Sequence, residues 1–166
     1  MIRLLALTLL LTGHAVAQTP TVASCTDPAC RAFDFWLGEW LVDDPAGTKQ
    51  GDNSITSEEG GCLIVERWTS ASGGSGQSYN LFDPGSRQWR QVCVSQGAVI
   101  DYAGGPNSAG DMELQGSIRY RDGRSAPFRG LWSKLSDGSV KQQFDEFDLA
   151  QQKWTSWFTG IYRRKS

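Results

Sequence analysis

The reactions open to this chain are limited first by its histidine content. The only histidine is His14, and it lies in a segment that we predict is cleaved off. Without it there is no Ser-His-Asp triad, no Cys-His pair and no histidine-ligated haem or zinc. Catalysis would have to use carboxylate, tyrosine, lysine, arginine or thiol groups. We assign no catalytic residue, no metal and no cofactor.

Three polar side chains stand among apolar residues on predicted strands and are candidates for the polar part of a binding pocket. Glu66 lies inside an apolar run, Gln91 shares its strand parity with Trp89, and Arg119 alternates with apolar neighbours. Most polar residues in such alternation face solvent, and we expect this of the others. We predict that Glu66, Gln91 and Arg119 face the interior.

Tryptophans form the second group of candidate pocket residues. The chain has seven of them, and buried aromatic rings usually contribute to core packing. The alternative is an aromatic pocket for an apolar or sugar ligand, because small barrels can hold one small molecule. On that alternative we assign Trp36, Trp68 and Trp132 to the pocket.

Cysteines are the remaining reactive side chains. The four are Cys25, Cys30, Cys62 and Cys93. An even number in an oxidising compartment favours two disulfides, and four cysteines allow three pairings. A metal site is disfavoured because neither Cys62 nor Cys93 has a closely spaced partner.

The first 17 residues have the arrangement of a secretory signal peptide. Arg3 gives a positive start, residues 4–11 are apolar, and Ala15 and Ala17 are small residues at a cleavage site. The apolar run is shorter than the roughly 20 residues that span a bilayer, so we predict no transmembrane segment. We predict a periplasmic or secreted protein, with a lipid on Cys25 as the alternative.

The pattern after residue 33 indicates the fold class. Apolar residues recur with a period of two and are interrupted by Gly, Asp, Asn, Pro and Ser, which is typical of short strands joined by tight turns. We predict a single all-β domain, an up-and-down antiparallel barrel of about ten strands. The predicted strands are residues 34–43, 52–58, 62–68, 78–82, 88–95, 98–103, 112–120, 127–134, 140–148 and 154–163.

The chain divides into three predicted parts. These are the signal peptide at 1–17, an N-terminal extension with cysteines at 18–32, and the barrel at 33–166. Residues 28–35 could form a helical turn over one barrel end, since Pro28 follows Asp27 as at a helix start. The formal net charge is −2 and no basic run is present, so we predict no nucleic-acid partner. The sequence does not determine the oligomeric state, and we expect a monomer.

Several motifs in order carry a resemblance to a known family. Residues 33–40, with the letters FDFWLGEW, resemble the opening strand of a bacterial lipocalin-like family of unknown function. Residues 60–62 (GGC), the 76–91 segment containing Ser78 and Asn80, and the closing residues 160–164 resemble later motifs of that family. The resemblance implies a calycin-like barrel and no established activity.

The resemblance also implies a disulfide pairing. In the family, a cysteine at the position of Cys25 accompanies the one at Cys62. The remaining two, Cys30 and Cys93, depart from the family pattern, and we expect them to pair with each other. The alternative, Cys25 with Cys93 and Cys30 with Cys62, stays open.

Barrel closure is a further expectation from the resemblance. Gly38 and Trp40 resemble the Gly-x-Trp signature of lipocalin barrels, in which an arginine of the last strand lies over the tryptophan. Arg163 or Arg164 is the expected partner here, as a cation above a ring face. We predict that all four residues are structural.

The fold and the candidate residues suggest three functions. The leading one is binding of a small, mostly apolar molecule inside the barrel, which rests on fold analogy. The second is an enzyme that acts on a small hydrophobic substrate through a carboxylate or tyrosine. The third is a closed barrel that serves as a protein-interaction module.

Overall fold

The computed structural model describes residues 25–165. The predicted signal peptide and most of the N-terminal extension lie outside this range. Within it, no helix is long and apolar enough to cross a membrane. Ten strands are present: β1 (Gly38–Asp43), β2 (Lys49–Glu58), β3 (Leu63–Ser70), β4 (Ser75–Asp83), β5 (Gln88–Ser95), β6 (Ala98–Pro106), β7 (Met112–Arg119), β8 (Ser125–Lys134), β9 (Val140–Asp148) and β10 (Lys153–Arg164).

The ten strands form one closed antiparallel barrel. Each strand pairs with its neighbour in the chain, and β1 pairs with β10 to complete the circle. The predicted all-β, up-and-down barrel is therefore confirmed. Full closure satisfies the backbone groups of the first and last strands, which would otherwise be exposed edges.

Alternation along the strands separates the inner face from the outer one. In β4, Gly76, Ser78 and Asn80 are buried, whereas Gln77 and Tyr79 are exposed. Successive side chains of a strand point to opposite faces, so one set of alternate residues on every strand lines the interior. The register between strands joins these sets into rows that cross the inner wall.

Two short 3₁₀ helices, Pro28–Arg31 and Asp34–Trp36, cover one end of the barrel, which we call the closed end. The predicted helical turn over residues 28–35 is confirmed in this form. The predicted strand start at residue 34 is wrong, because β1 begins at Gly38. The backbone N–H of Trp36 bonds the Phe33 carbonyl at 3.1 Å, and this tight turn directs the ring into the barrel.

Large rings fill the closed end. Phe33 stacks on Trp36 with the ring centroids 5.0 Å apart and meets Trp89 and Trp132 edge-on at 5.6 and 5.1 Å. Trp89 donates its indole N–H to the Ala29 carbonyl at 3.0 Å. Phe33, Trp36 and Trp132 have no solvent-exposed surface, so no space large enough for water borders them.

The contact of Trp40 with Arg164 stabilises the pairing of the first strand with the last. The Arg164 guanidinium lies 4.4 Å from the centroid of the Trp40 ring, and the Trp40 indole donates to the Trp36 carbonyl at 2.9 Å. Gly38 has φ of +135°, and a methyl group there would collide with the Arg164 side chain. Of the two arginines left open as the partner of Trp40, Arg164 takes the position over the ring. Arg163 faces outward, because adjacent strand residues face opposite sides, and pairs with Asp43 of β1 at 2.6 Å.

One disulfide joins the N-terminal segment to the barrel. Cys25 and Cys62 are bonded, with Cα atoms 4.9 Å apart. Cys30 and Cys93 are free thiols, which corrects their expected pairing. Cys30 lies in the 3₁₀ helix that packs near Trp89, and Cys93 lies four residues further along β5. That offset is about 13 Å at the usual strand rise, whereas disulfide Cα atoms lie within about 7 Å.

Removal of the disulfide should destabilise the protein far more than removal of a free thiol. The Cys25→Ser/Cys62→Ser variant loses a cross-link over a sequence separation of 37 residues, which the chain-entropy model values at about 4 kcal/mol. Urea unfolding measures the loss, with Cys30→Ser as the matched control. Titration of the denatured, unreduced protein should find two thiols. Equal losses in the two variants, or no thiols, would contradict the pairing.

Replacement of Arg164 by alanine should lower the free energy of unfolding by about 1–2 kcal/mol, because it removes a cation from a buried ring face. The control is Arg163→Ala, which changes the residue directly before Arg164. It breaks an exposed ion pair, for which about 0–1 kcal/mol is expected. Urea unfolding of both variants tests the assignment, and a larger loss from Arg163→Ala would overturn it.

Candidate functional site

Eight buried polar side chains form a continuous hydrogen-bonded set across the inner wall. They come from β2, β3, β4, β5, β6, β9 and β10, and each retains at most 7% of its exposure. Such buried polar groups are costly unless they are paired. The members of this set, which we call the interior polar chain, are Gln142, Tyr162, Asn53, Glu66, Ser78, Asn80, Gln91 and Tyr102.

Glu66 is the only carboxyl group in the interior polar chain and lies at its centre. Asn53 Nδ2 donates to Glu66 Oε1 at 2.7 Å, and Ser78 Oγ donates to Glu66 Oε2 at 2.6 Å. Within residues 25–165, none of the ion pairs involves Glu66. The carboxyl group is therefore buried with hydrogen-bond donors and without a cation.

The hydrogen bonds on one side of Glu66 all run in the same direction. Tyr102 donates its hydroxyl to Gln91 Oε1, and Gln91 Nε2 donates to Asn80 Oδ1. Asn80 Nδ2 donates to Ser78 Oγ at 3.0 Å, and Ser78 then donates to Glu66. Aligned donors polarise one another in a low-dielectric interior. The alignment favours negative charge on Glu66.

On the other side of Glu66, the hydrogen bonds of the interior polar chain lead away from its carboxyl group. Asn53 Nδ2 also lies 3.3 Å from the Tyr162 hydroxyl, and Tyr162 donates to Gln142 Oε1. Asn53 Oδ1 is buried and has no hydrogen-bond partner within the described residues. This arm ties β2 to β9 and β10 across the inside of the barrel.

Burial controls the protonation of the titratable groups here. Desolvation raises the pKa of Glu66, although the donors Ser78 and Asn53 act in the opposite direction. Burial likewise raises the pKa of Tyr102 and Tyr162 well above the ordinary tyrosine value. Burial, with the neighbouring Glu66, raises the pKa of the Cys93 thiol to about 12. The phenols and the thiol therefore keep their protons at neutral pH, and both tyrosine hydroxyls donate hydrogen bonds. Because a reactive cysteine needs a thiolate, Cys93 is not set up as a nucleophile.

Strand register places small side chains beside Glu66 toward the second barrel end, which we call the open end. Glu66, Ser78 and Cys93 form one cross-strand row. The next row toward the open end consists of Trp68, Gly76, Ser95 and Ala98. Three of these four residues are small, so Trp68 is the only bulky side chain of the row that lies next to Glu66 on the open-end side. We call the two rows, together with Phe158, the open-end mouth.

The aromatic wall of the open-end mouth stands on one side. The Trp68 ring lies against Gly51, where any Cβ would collide with it, and meets Phe158 edge-on with centroids 6.3 Å apart. Trp68, Cys93, Ala98 and Phe158 face inward but are only partly buried. Solvent therefore reaches the inner face at the open end, where these residues lie.

The structure distributes the six predicted pocket residues over four places. Glu66 and Gln91 belong to the interior polar chain, and Trp68 belongs to the open-end mouth. Trp36 and Trp132 pack against each other at 5.6 Å in the filled closed end. Arg119 is a correction: it lies on the outer face, 3.7 Å from Asp101, with 56% of its side chain exposed. Its neighbour Ile118 takes the inward position on β7.

Six members of the interior polar chain were not assigned to the pocket from the sequence: Asn53, Ser78, Asn80, Tyr102, Gln142 and Tyr162. Asn53 lies on a strand that is polar on both faces, so alternation carries no signal for it. Ser78 and Asn80 share the parity of Gly76 and Phe82, which was a usable signal. The two tyrosines look like ordinary core residues in the sequence, and only their hydroxyl contacts reveal their role.

Two grooves are found in the described part of the chain, one at the rim of the open end, where Tyr120 and Glu146 have inward parity, and one on the outer face. One, of about 470 Å³, is lined by Tyr120, Arg124 and Glu146 among others, and Tyr120 donates its hydroxyl to Glu146. The other, of about 260 Å³, contains the Arg129–Asp145 ion pair at 2.9 Å. Each groove thus contains one paired acidic group, Glu146 with Tyr120 and Asp145 with Arg129, whereas Glu66 has no counter-ion among residues 25–165.

No protein-family model matches this chain, and no curated protein sequence matches it. The resemblance to the lipocalin-like family therefore stays a prediction. The site must be interpreted from its own geometry.

Replacement of Glu66 by glutamine should change how stability depends on pH. Because burial raises the pKa of Glu66 in the folded state, the folded protein holds a proton that the unfolded chain loses above about pH 4.3. The free energy of unfolding therefore decreases as the pH rises from that value to the pKa that Glu66 has in the folded protein. Each unit of pKa elevation corresponds to about 1.4 kcal/mol.

Urea unfolding at several pH values tests this expectation. The wild-type protein should lose stability relative to Glu66→Gln as pH rises. The outward-facing Glu113→Gln variant is the matched control and should follow the wild-type curve. A Glu66→Gln curve parallel to the wild-type curve would contradict a raised pKa for this carboxyl.

Proposed function

We propose that this protein binds a small, mostly apolar molecule in the open-end mouth. The observation that carries the proposal is the row of small residues, Gly76, Ser95 and Ala98, beside one bulky ring, Trp68, directly above a polar floor. Ligand pockets typically combine apolar and aromatic walls with a few placed polar groups. The mouth has this composition, with Glu66 and Ser78 as the polar groups.

Rigidity of the closed end supports the same function. The packed rings of Phe33, Trp36 and Trp132 leave no accessible surface there, and the disulfide anchors the segment that carries them. A ligand would enter only from the open end and would meet a wall held in place by the continuous hydrogen-bonded sheet. A preformed wall lowers the ordering cost of binding.

Export from the cytoplasm belongs to the proposal as well. The support is the signal-like segment at residues 1–17 together with the Cys25–Cys62 disulfide, since such bonds persist in oxidising compartments. A sulfur engaged in a disulfide carries no lipid thioether, so the disulfide argues against lipidation at Cys25. The protein would then meet its ligand in the periplasm or outside the cell.

The proposed site can be tested with a neutral fluorescent probe, N-phenyl-1-naphthylamine, titrated into the chain that begins at Gln18. Saturable emission enhancement is expected. Ala98→Leu, which fills the mouth, should weaken binding by about tenfold, or about 1.4 kcal/mol. Ala103→Leu is the matched control, because Ala103 lies on the same strand with the opposite parity.

Two results would contradict the proposed function. One is the absence of saturable binding by the wild-type protein, and the other is equal weakening by the two alanine variants. The absence of binding would favour a protein-interaction role instead. The outer face offers a surface for that role, because Tyr79, Leu81 and Val94 are exposed on the neighbouring strands β4 and β5.

A further inference from the structure

We infer that the ligand of the open-end mouth is a cation, an apolar molecule that carries an ammonium group and places it against Glu66. This inference rests on the proposed function and adds the chemical class of the ligand. Four observations carry it: Glu66 has no counter-ion among residues 25–165, it has remaining acceptor capacity, the interior hydrogen bonds run toward it, and an aromatic wall lies beside it.

Glu66 has acceptor capacity that the protein does not use. An ionised carboxylate offers about four lone-pair sites, and the structure fills two of them with Asn53 and Ser78. An ammonium group has three donors and no acceptor. It therefore complements the unused sites, whereas a ligand carboxylate would be repelled.

The groups around Glu66 prepare it for negative charge. Four successive donors, from the Tyr102 hydroxyl to the Ser78 hydroxyl, are aligned toward it. The titratable groups on which Glu66 acts electrostatically are themselves acids, namely Cys93, Tyr102 and Tyr162, and it raises the pKa of each. The ionised form therefore has its hydrogen bonds in place and lacks only an opposite charge.

The aromatic wall suits the same ligand. Trp68 lies two residues from Glu66 on the same face of β3, and Phe158 stands beside it. The faces of aromatic rings attract cations, most strongly when water is excluded. An ammonium group at Glu66 with an apolar body against Trp68 would thus be stabilised at both ends.

Binding of such a cation is coupled to release of a proton. Before binding, burial favours the neutral carboxyl of Glu66. When the ammonium group arrives, Glu66 gives its proton to the buffer, and the resulting carboxylate pairs with the cation. No covalent bond forms and the ligand keeps its charge. Affinity should therefore increase with pH until Glu66 is already ionised in the free protein.

The test compares three probes of similar size: protonated 2-phenylethylamine, neutral 2-phenylethanol and anionic 3-phenylpropionate. Calorimetric titration at pH 6 in phosphate and in MES, which differ in ionisation enthalpy, measures affinity and proton release together. We expect the amine to bind at least about tenfold more tightly than the alcohol, with net proton release and with no binding of the carboxylate.

Glu66→Gln should reduce the affinity for the amine to that for the alcohol and abolish the proton release. Glutamine keeps the shape and one carbonyl acceptor, and circular dichroism checks that the barrel is intact. Glu113→Gln is the matched control and should bind the amine as the wild-type protein does. Loss of amine binding in Glu113→Gln as well would overturn the role of Glu66.

The outcomes separate the two proposals. Equal binding of the amine and the alcohol, both weakened by Ala98→Leu, would overturn the cation inference and leave the proposed function standing. No binding of any probe, including N-phenyl-1-naphthylamine, would overturn the proposed function and the inference with it. Tighter binding of 3-phenylpropionate than of the amine would overturn the inference alone.

Discussion

The pairing of β1 with β10 is the constraint on which the rest of this structure depends. Only four residue pairs make this contact, from Trp40 with Arg164 to Asp43 with Ile161. They convert an open sheet with two unsatisfied edges into a closed wall. Without that closure the inner face would be one side of an exposed sheet, and the polar groups buried on it would be hydrated. The contact of the Arg164 cation with the Trp40 ring stabilises this junction further.

Closure by itself does not explain why one half of the barrel is filled and the other is accessible. The difference follows from side-chain volume along the same strands. Strand β5 presents Trp89 near the closed end and Cys93 and Ser95 near the open end, and β8 presents Trp132 and then Ala126. A barrel of ten strands has a wide interior, so its larger residues fill one end and its smaller residues leave the other accessible.

Glu66 is the residue at which the stability of the barrel and the proposed function conflict. A buried carboxyl without a cation costs free energy, and replacement of such groups by apolar residues is often neutral or stabilising. The donors from Asn53 and Ser78 reduce that cost but do not remove it. A group that lowers stability and faces an accessible mouth is expected at a functional site rather than in a purely structural core. The other interior polar groups are amides and hydroxyls that can satisfy one another.

Local pattern determined the architecture of this chain. A period of two, with turn residues between the runs, specifies strands, and sequential hairpins allow few arrangements other than an up-and-down barrel. The inward positions of Glu66 and Gln91 followed from the same alternation. Alternation reveals two faces but does not tell which is inside when both carry polar residues. For that reason it misplaced Arg119, whose neighbour Ile118 is buried, and gave no signal for Asn53.

Only the tertiary structure decided which distant residues meet. The sequence could not separate Arg163 from Arg164 as the partner of Trp40, nor exclude a Cys30–Cys93 bond, because both questions depend on distances between strands. The same holds for the aligned donors that end on Glu66, which come from β4, β5 and β6. Alternation is a property of neighbours in the chain and can be read directly. The register around a closed barrel is set by all ten pairings together, so the surroundings of Glu66 are defined only once the barrel has closed.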